Sequence, residues 1–117
     1  MNDPGFRRGD IVVCALSGDY GKPRPAVIVQ SDLFNPTHSS VVLCPISSEL
    51  TGLHLFRIPV TPTENSGLRQ ESEVMVDKIT VAQRARVRQR IGRLSRAQVS
   101  LVDRALRLWL ALPAQPV

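Results

Sequence analysis

Gly21-Lys22-Pro23-Arg24-Pro25-Ala26-Val27-Ile28-Val29 places one arginine between two prolines, directly before a short apolar run. Each proline fixes its own φ and steers the residue before it away from the helical region, so Arg24 is expected in extended backbone. The run is β-branched and too short for a helix, so residues 25–30 read as a buried strand. Arg24 then stands at the stiff mouth of a core strand. A guanidinium held there suits phosphate, because its planar fork donates hydrogen bonds in pairs. The competing reading is a strand-edge arginine that only solvates the loop, and on these residues alone the two stand equal.

Other residues could join such chemistry. The loop over 17–23 carries Lys22 and Tyr20, the only tyrosine. A loop tyrosine can stack on a base, the usual way single strands are held, or it can fold back over the end of the sheet. Between 84 and 96 stand six arginines, Arg84, Arg86, Arg88, Arg90, Arg93 and Arg96. They read either as a nucleic-acid track or as an edge strand protected by charge. The absence of interleaved aromatics favours the edge. His38 and His54 are isolated, and Cys14 and Cys44 lie far apart inside apolar runs. Buried reduced thiols are expected, with no zinc site and no cofactor. Arg8-Gly9-Asp10 reads as the start of a strand rather than an adhesion motif, because Asp10 leads straight into an apolar run.

The elements that must position these residues are mostly strands. Expected are 10–16, 25–30, 40–46, 54–60 and a short fifth at Val74–Val76, then an edge strand through Arg86, Arg88 and Arg90. Ser31 or Asp32 caps one helical turn through Phe34, and residues 81–86 are expected to form another. Ser95-Arg96-Ala97-Gln98 is a capping box, with Leu94 and Val99 as its hydrophobic staple. Val99, Val102, Leu106 and Trp109 then recur at helical spacing, with Leu101, Ala105 and Leu108 widening the stripe. Trp109 is expected as a core anchor, and Pro113 as the stop.

With 117 residues the chain suits one domain, read as 1–117. The apolar fraction of 43% against 4% aromatic predicts an aliphatic core. A net charge of +5, from 15 basic and 10 acidic residues, favours a polyanionic partner. No apolar run approaches a membrane span, and Met1–Gly5 holds no apolar signal core, so a cytoplasmic chain without a membrane partner is expected. Short strands separated by turns and closed by one helix predict a mainly β fold, a small barrel with a C-terminal helix.

In its motifs the chain resembles the MazF/PemK family of toxin–antitoxin endoribonucleases. The matching stretches are Arg8-Gly9-Asp10-Ile11-Val12, Arg24-Pro25-Ala26-Val27-Ile28-Val29, Asp32-Leu33-Phe34-Asn35, Pro45-Ile46-Ser47-Ser48, Val76-Asp77-Lys78-Ile79 and Ile91-Gly92-Arg93-Leu94-Ser95. Leu101 to Leu106 looks like the family's final helix.

The resemblance implies an SH3-like barrel of the CcdB/PemK type and a homodimer. It also implies metal-independent cleavage of single-stranded RNA, and a cognate antitoxin with an acidic, disordered segment. It implies catalytic roles for Arg24, before the strand-two proline, and Ser47, after strand three. Tyr20, Lys22, Ser48, Asp77 and Lys78 are the expected RNA contacts. Some members use an Arg-x-Asp pair later in the chain; here Met75 takes the arginine's place and only Asp77 remains. The first loop lacks the glutamate that many members carry. Two other functions fit the same fold, a CcdB-like gyrase poison and a plain basic binding module. Trp109 is followed by Pro113, Gln115 and Val117, so the helix does not end on the aromatic that CcdB-like proteins use.

Overall fold

The structure, a computed structural model, describes residues 5–16 and 21–113. In chain order it forms β1 (Asp10–Ala15), β2 (Pro23–Ile28), β3 (Ser40–Ser47), β4 (Arg57–Val60), β5 (Ser72–Met75), β6 (Thr80–Gln83), β7 (Val87–Arg93) and α1 (Arg96–Leu110). Single 3-10 turns lie at Val76–Lys78 and Arg84–Arg86. The strands pair antiparallel in the order β4-β5-β3-β2-β1-β7, and β6 also pairs with β3.

The continuous apolar runs have a physical reason. A strand with one wet face alternates, whereas one covered on both faces stays apolar throughout. Ile11 faces a core shared with Val27, Cys44, Ile58, Val74, Val102 and Leu106, while its neighbour Val12 faces a second core with Ala26, Ile28, Val41 and Leu43. Burial covers most of β1–β3, and both cysteines are buried and free. Burial pushes the Cys44 thiol up to about 12 and raises that of Cys14, so neither is a ready nucleophile.

β3 is the hub. One edge pairs with β2, while the other pairs with β6 along Ser40–Leu43 and with β5 at Ile46 and Ser47. Residues 81–86 therefore do not form the expected helical turn. Val81 and Ala82 pair with Val42 and Val41, and only Arg84–Arg86 turns. Cross-strand pairing overrides the weak local preference. The fourth strand is shorter than expected because residues 54–56 form a turn before Arg57.

The turn after β4 closes on β7, at the opposite end of the strand order. Arg93 N–H donates to the Asn65 carbonyl at 2.7 Å. Gly67 has φ +69°, and a Cβ there would lie 1.9 Å from the Ile91 oxygen; a Cβ on Gly92 would lie 2.1 Å from the Ser66 oxygen. Only glycine permits this approach from both sides. At the other end Asn35 ties down the turn after β2. Its side-chain amide donates to Gln30 O and Asp32 Oδ1, and its carbonyl accepts from the Arg84 guanidinium.

The capping box forms as read: Gln98 N–H donates to Ser95 Oγ, and Ser95 N–H donates to Gln98 Oε1. The buried stripe of α1 is narrower than expected, with only Val102, Ala105 and Leu106 buried. Trp109 is not a core anchor. It is 49% exposed and leans on Phe56, with ring centroids 5.4 Å apart, while Leu101 and Leu108 are exposed too. The helix packs against β4 and the 3-10 turn at Val76–Lys78, and its buried residues all lie before its last turn. Ala111 ends the helix in the left-handed conformation, φ 56°, two residues before Pro113. Among the described residues, no helix is long and apolar enough to cross a membrane.

Candidate active site

Arg24 lies inside β2, which begins at Pro23 rather than Pro25, and pairs with Cys14 of β1. The ladder between β2 and β3 ends at Ala26 opposite Pro45. Continuing that antiparallel register by two residues sets Arg24 opposite Ser47. Pro25 and Pro45 carry no N–H, so they cannot extend the ladder. The strands stop bonding before they reach the arginine and the serine, and both residues line a cleft of about 930 Å³.

The cleft gathers much of what the sequence singled out. Arg24, Ser47, Ser48 and Lys78 all line it, and Glu49, Arg69, Gln70 and Gln89 add to its polar wall. Ser47 Oγ accepts the Glu49 N–H at 3.0 Å. That bond uses a lone pair and leaves the hydroxyl proton to donate. Lys22 is exposed and outside the lining. Tyr20 lies outside the described residues.

Asp77 does not reach the cleft. Its carboxylate takes a bidentate pair from Arg57, 2.6 Å from Nε and 3.0 Å from Nη2, with the two side chains only 12% and 15% exposed. That hydrogen bonding by Arg57 holds the Asp77 carboxyl below its ordinary range. The arginine missing at Met75 is thus supplied across the ladder, since Arg57 pairs with Met75 in register.

Glu73 is a second feature that sequence reading missed. It sits opposite Ser47 in the β3–β5 pairing and is 2% exposed. It accepts hydrogen bonds from Thr51 N at 3.0 Å, Thr51 Oγ1 at 2.9 Å and Gly52 N at 3.0 Å. Burial alone would raise its pKa, but these bonds and the nearby His54 bring it below the ordinary value. Glu73 therefore staples the β3–β4 loop just beyond Ser47. The local signal was slight, since Glu73 directly precedes the apolar run Val74–Val76 and Glu71 and Asp77 stand close by. Among the described residues, no three His, Cys, Asp or Glu side chains are grouped to hold a metal ion.

Residues 7–110 match the model of the PemK-like, MazF-like toxins of type II toxin–antitoxin systems. The chain belongs to this family. A probable endoribonuclease MazF of Mycolicibacterium smegmatis is 41% identical over 108 residues, covering 92% of this chain and 98% of the relative. Among solved structures, a mycobacterial endoribonuclease in complex with its cognate antitoxin superposes with a TM-score of 0.78 at 20% identity, covering 94% of this chain and 99% of that one. A MazE–MazF structure from Deinococcus radiodurans gives 0.77 at 20% identity, covering 95% and 100%. These likenesses establish the same mainly antiparallel fold.

Membership gives the PemK/MazF motifs their physical roles here. Arg24-Pro25 ends the β2–β3 ladder, Pro45-Ile46-Ser47-Ser48 brings the serines to the same cleft, and Asp32-Leu33-Phe34-Asn35 is a pinned turn away from it. Val76-Asp77-Lys78-Ile79 splits, sending Lys78 to the cleft and Asp77 to Arg57.

Proposed function

We propose that this PemK/MazF-like toxin is an endoribonuclease that cuts single-stranded RNA in the cleft between Arg24 and Ser47. The observation that supports the reading is the cleft beyond the end of the β2–β3 ladder, which Arg24 and Ser47 line together. In the reaction the RNA's own 2′-hydroxyl attacks the adjacent phosphorus, and negative charge gathers on the non-bridging oxygens. Arg24 stabilises that charge with paired hydrogen bonds, and Ser47 donates a further one. Arg24 acts as a hydrogen-bond donor in this step and is not the base. The products carry a 2′,3′-cyclic phosphate and a 5′-hydroxyl, and no metal is required for the step. Lys78 and Arg69 hold flanking phosphates from the cleft wall, with Ser48 beside them.

The partners follow from the same surface. A net charge of +5 favours an antitoxin with an acidic, initially disordered segment that competes with RNA for this cleft. The antitoxin complexes of structural neighbours support such a partner. The exposed apolar end of α1, with Leu108, Trp109 and Leu112, supports a homodimer, since apolar surface of this kind commonly marks an interface. The reading treats residues 1–117 as one toxin domain acting on RNA in the cytoplasm. The enzymatic names of relatives matched along nearly their whole length argue against a gyrase poison or a passive binding module.

The test is a long transcript incubated with purified protein and chelator, followed by end-group analysis. Discrete fragments with 5′-hydroxyl and cyclic phosphate ends are expected. Intact RNA that is only shifted on a gel, or fragments with 5′-phosphate ends, would overturn the reading.

A further inference from the structure

We infer that Glu49 is the proton acceptor of the cleavage step. The inference rests on the endoribonuclease reading and supplies the group that Arg24 and Ser47 cannot. Attack by a 2′-hydroxyl needs its proton removed as the new bond forms. Arginine, lysine and a neutral serine do not do this in the cleft. The lining holds neither of the two histidines, and Asp77, outside the lining, is locked to Arg57. Among the described residues, Glu49 is the one carboxylate that lines the cleft.

Its backbone is held where the chemistry occurs. The Glu49 N–H donates to Ser47 Oγ at 3.0 Å, a tight turn that ties the glutamate to the serine two residues earlier. Two residues further on, Thr51 and Gly52 are fastened by Glu73. The segment carrying Glu49 is thus anchored on both sides, while Glu49 itself is exposed toward the cleft's solvent. Arg24 from β2, Arg69 from the turn before β5 and Lys78 from the 3-10 turn share the cleft with it. Glu73 on β5 and His54 further along the same loop are the other titratable groups around this segment, and Glu73 is occupied by its hydrogen bonds from Thr51 and Gly52. The three cations offset the negative charge that Glu49 and an approaching phosphate together bring to the cleft.

The step balances as follows. The 2′-O–H bond breaks and its proton passes to the Glu49 carboxylate. The 2′-oxygen forms a bond to phosphorus as the P–O5′ bond breaks. The 5′-oxygen leaves with that electron pair and takes a proton from solvent water.

The test is the single-turnover rate against pH, with chelator present, for the wild-type protein, Glu49→Gln and Glu49→Asp. A general base contributes about 10²–10⁴-fold. Glu49→Gln should lose a factor in that range and lose the acidic limb of the profile. Glu49→Asp should keep the limb at a reduced rate. A merely structural role would lower the rate and leave the limb in place. A Glu49→Gln rate within threefold of wild type, or an unchanged acidic limb, overturns the assignment. Absence of cleavage by the wild-type protein would instead sink the endoribonuclease reading, and this one with it. Glu49 is exposed, so thermal unfolding of the variants should match wild type.

Discussion

Glu73→Gln isolates the staple beneath the loop that follows β3. The substitution keeps the size and shape of a side chain that is 2% exposed, so packing is retained. What changes is hydrogen bonding. The carboxylate accepts three bonds of 2.9–3.0 Å, two from Thr51 on one oxygen and one from Gly52 on the other. The amide oxygen can replace only one of those oxygens. If it serves Thr51, the NH2 group faces the Gly52 N–H, donor against donor, in a site with little water. Hydrogen bonds to charged groups contribute about 1.5–3 kcal/mol net, and leaving a buried donor unsatisfied costs about 1–3 kcal/mol. One bond lost and two weakened come to about 3 kcal/mol, or roughly 12 °C in Tm for a chain of this size. The pH dependence has a definite sign. Glu73 has a depressed pKa, so its contribution is complete above the unfolded carboxyl value near 4.5 and is lost as pH falls through the lower folded value. Thermal unfolding followed by circular dichroism at pH 7 and at pH 3 reads both effects. The variant should melt well below wild type at pH 7, and the gap should narrow at pH 3. Equal Tm values at pH 7, or a gap that widens in acid, would refute the reasoning.

Asp77→Asn leaves the nearly buried Arg57 guanidinium without its carboxylate. It should cost about 2–3 kcal/mol in chemical denaturation, below the figure for a fully buried pair because both side chains keep some exposure. Its folded fraction should still cleave RNA, since Asp77 lies outside the cleft. Gly92→Ala forces a Cβ to within 2.1 Å of the Ser66 oxygen and must break the 2.7 Å bond between Arg93 and Asn65. A loss of about 3 kcal/mol or more is expected, together with a raised KM as the Gly67–Gln70 wall shifts. Light scattering at micromolar concentration should give a dimer mass, and Trp109→Arg should shift it toward monomer. A wild-type monomer would remove the apolar end of α1 as an interface.

Much of this was legible because it is written in local chemistry. The capping box at Ser95 fixes the start of α1 within a residue, and the β-branched runs at Ile11, Val27 and Val41 locate the central strands. Arg24 drew attention because two prolines flank it, and one of them, Pro25, lies with Pro45 where the β2–β3 ladder ends at the cleft. The rest depends on what the chain meets across many residues. Thr80–Gln83 becomes a strand by pairing with the edge of β3; Thr80 and Val81 are β-branched, but four residues carry too little pattern to place them. Arg57 finds Asp77 only after β4 and β5 align, so the missing arginine at Met75 looked like a gap. Trp109 fits a helical stripe, yet its burial depends on how far the sheet extends beneath the last turn. Arg86, Arg88 and Arg90 do lie on and beside an end strand of the sheet order, exposed as the edge reading expects.

The most direct test of the central claim is the single-turnover cleavage rate of Arg24→Ala, compared with wild type on the same RNA in chelator. One positioned donor to a developing oxyanion contributes about 3–4 kcal/mol, so the rate should fall by about 10²-fold or more, and Ser47→Ala should also slow it strongly. RNA binding should weaken far less than the rate, because Lys78 and Arg69 still line the cleft. Unfolding curves that overlay wild type would assign the loss to chemistry rather than to folding. Full activity in a folded Arg24→Ala protein would contradict the account.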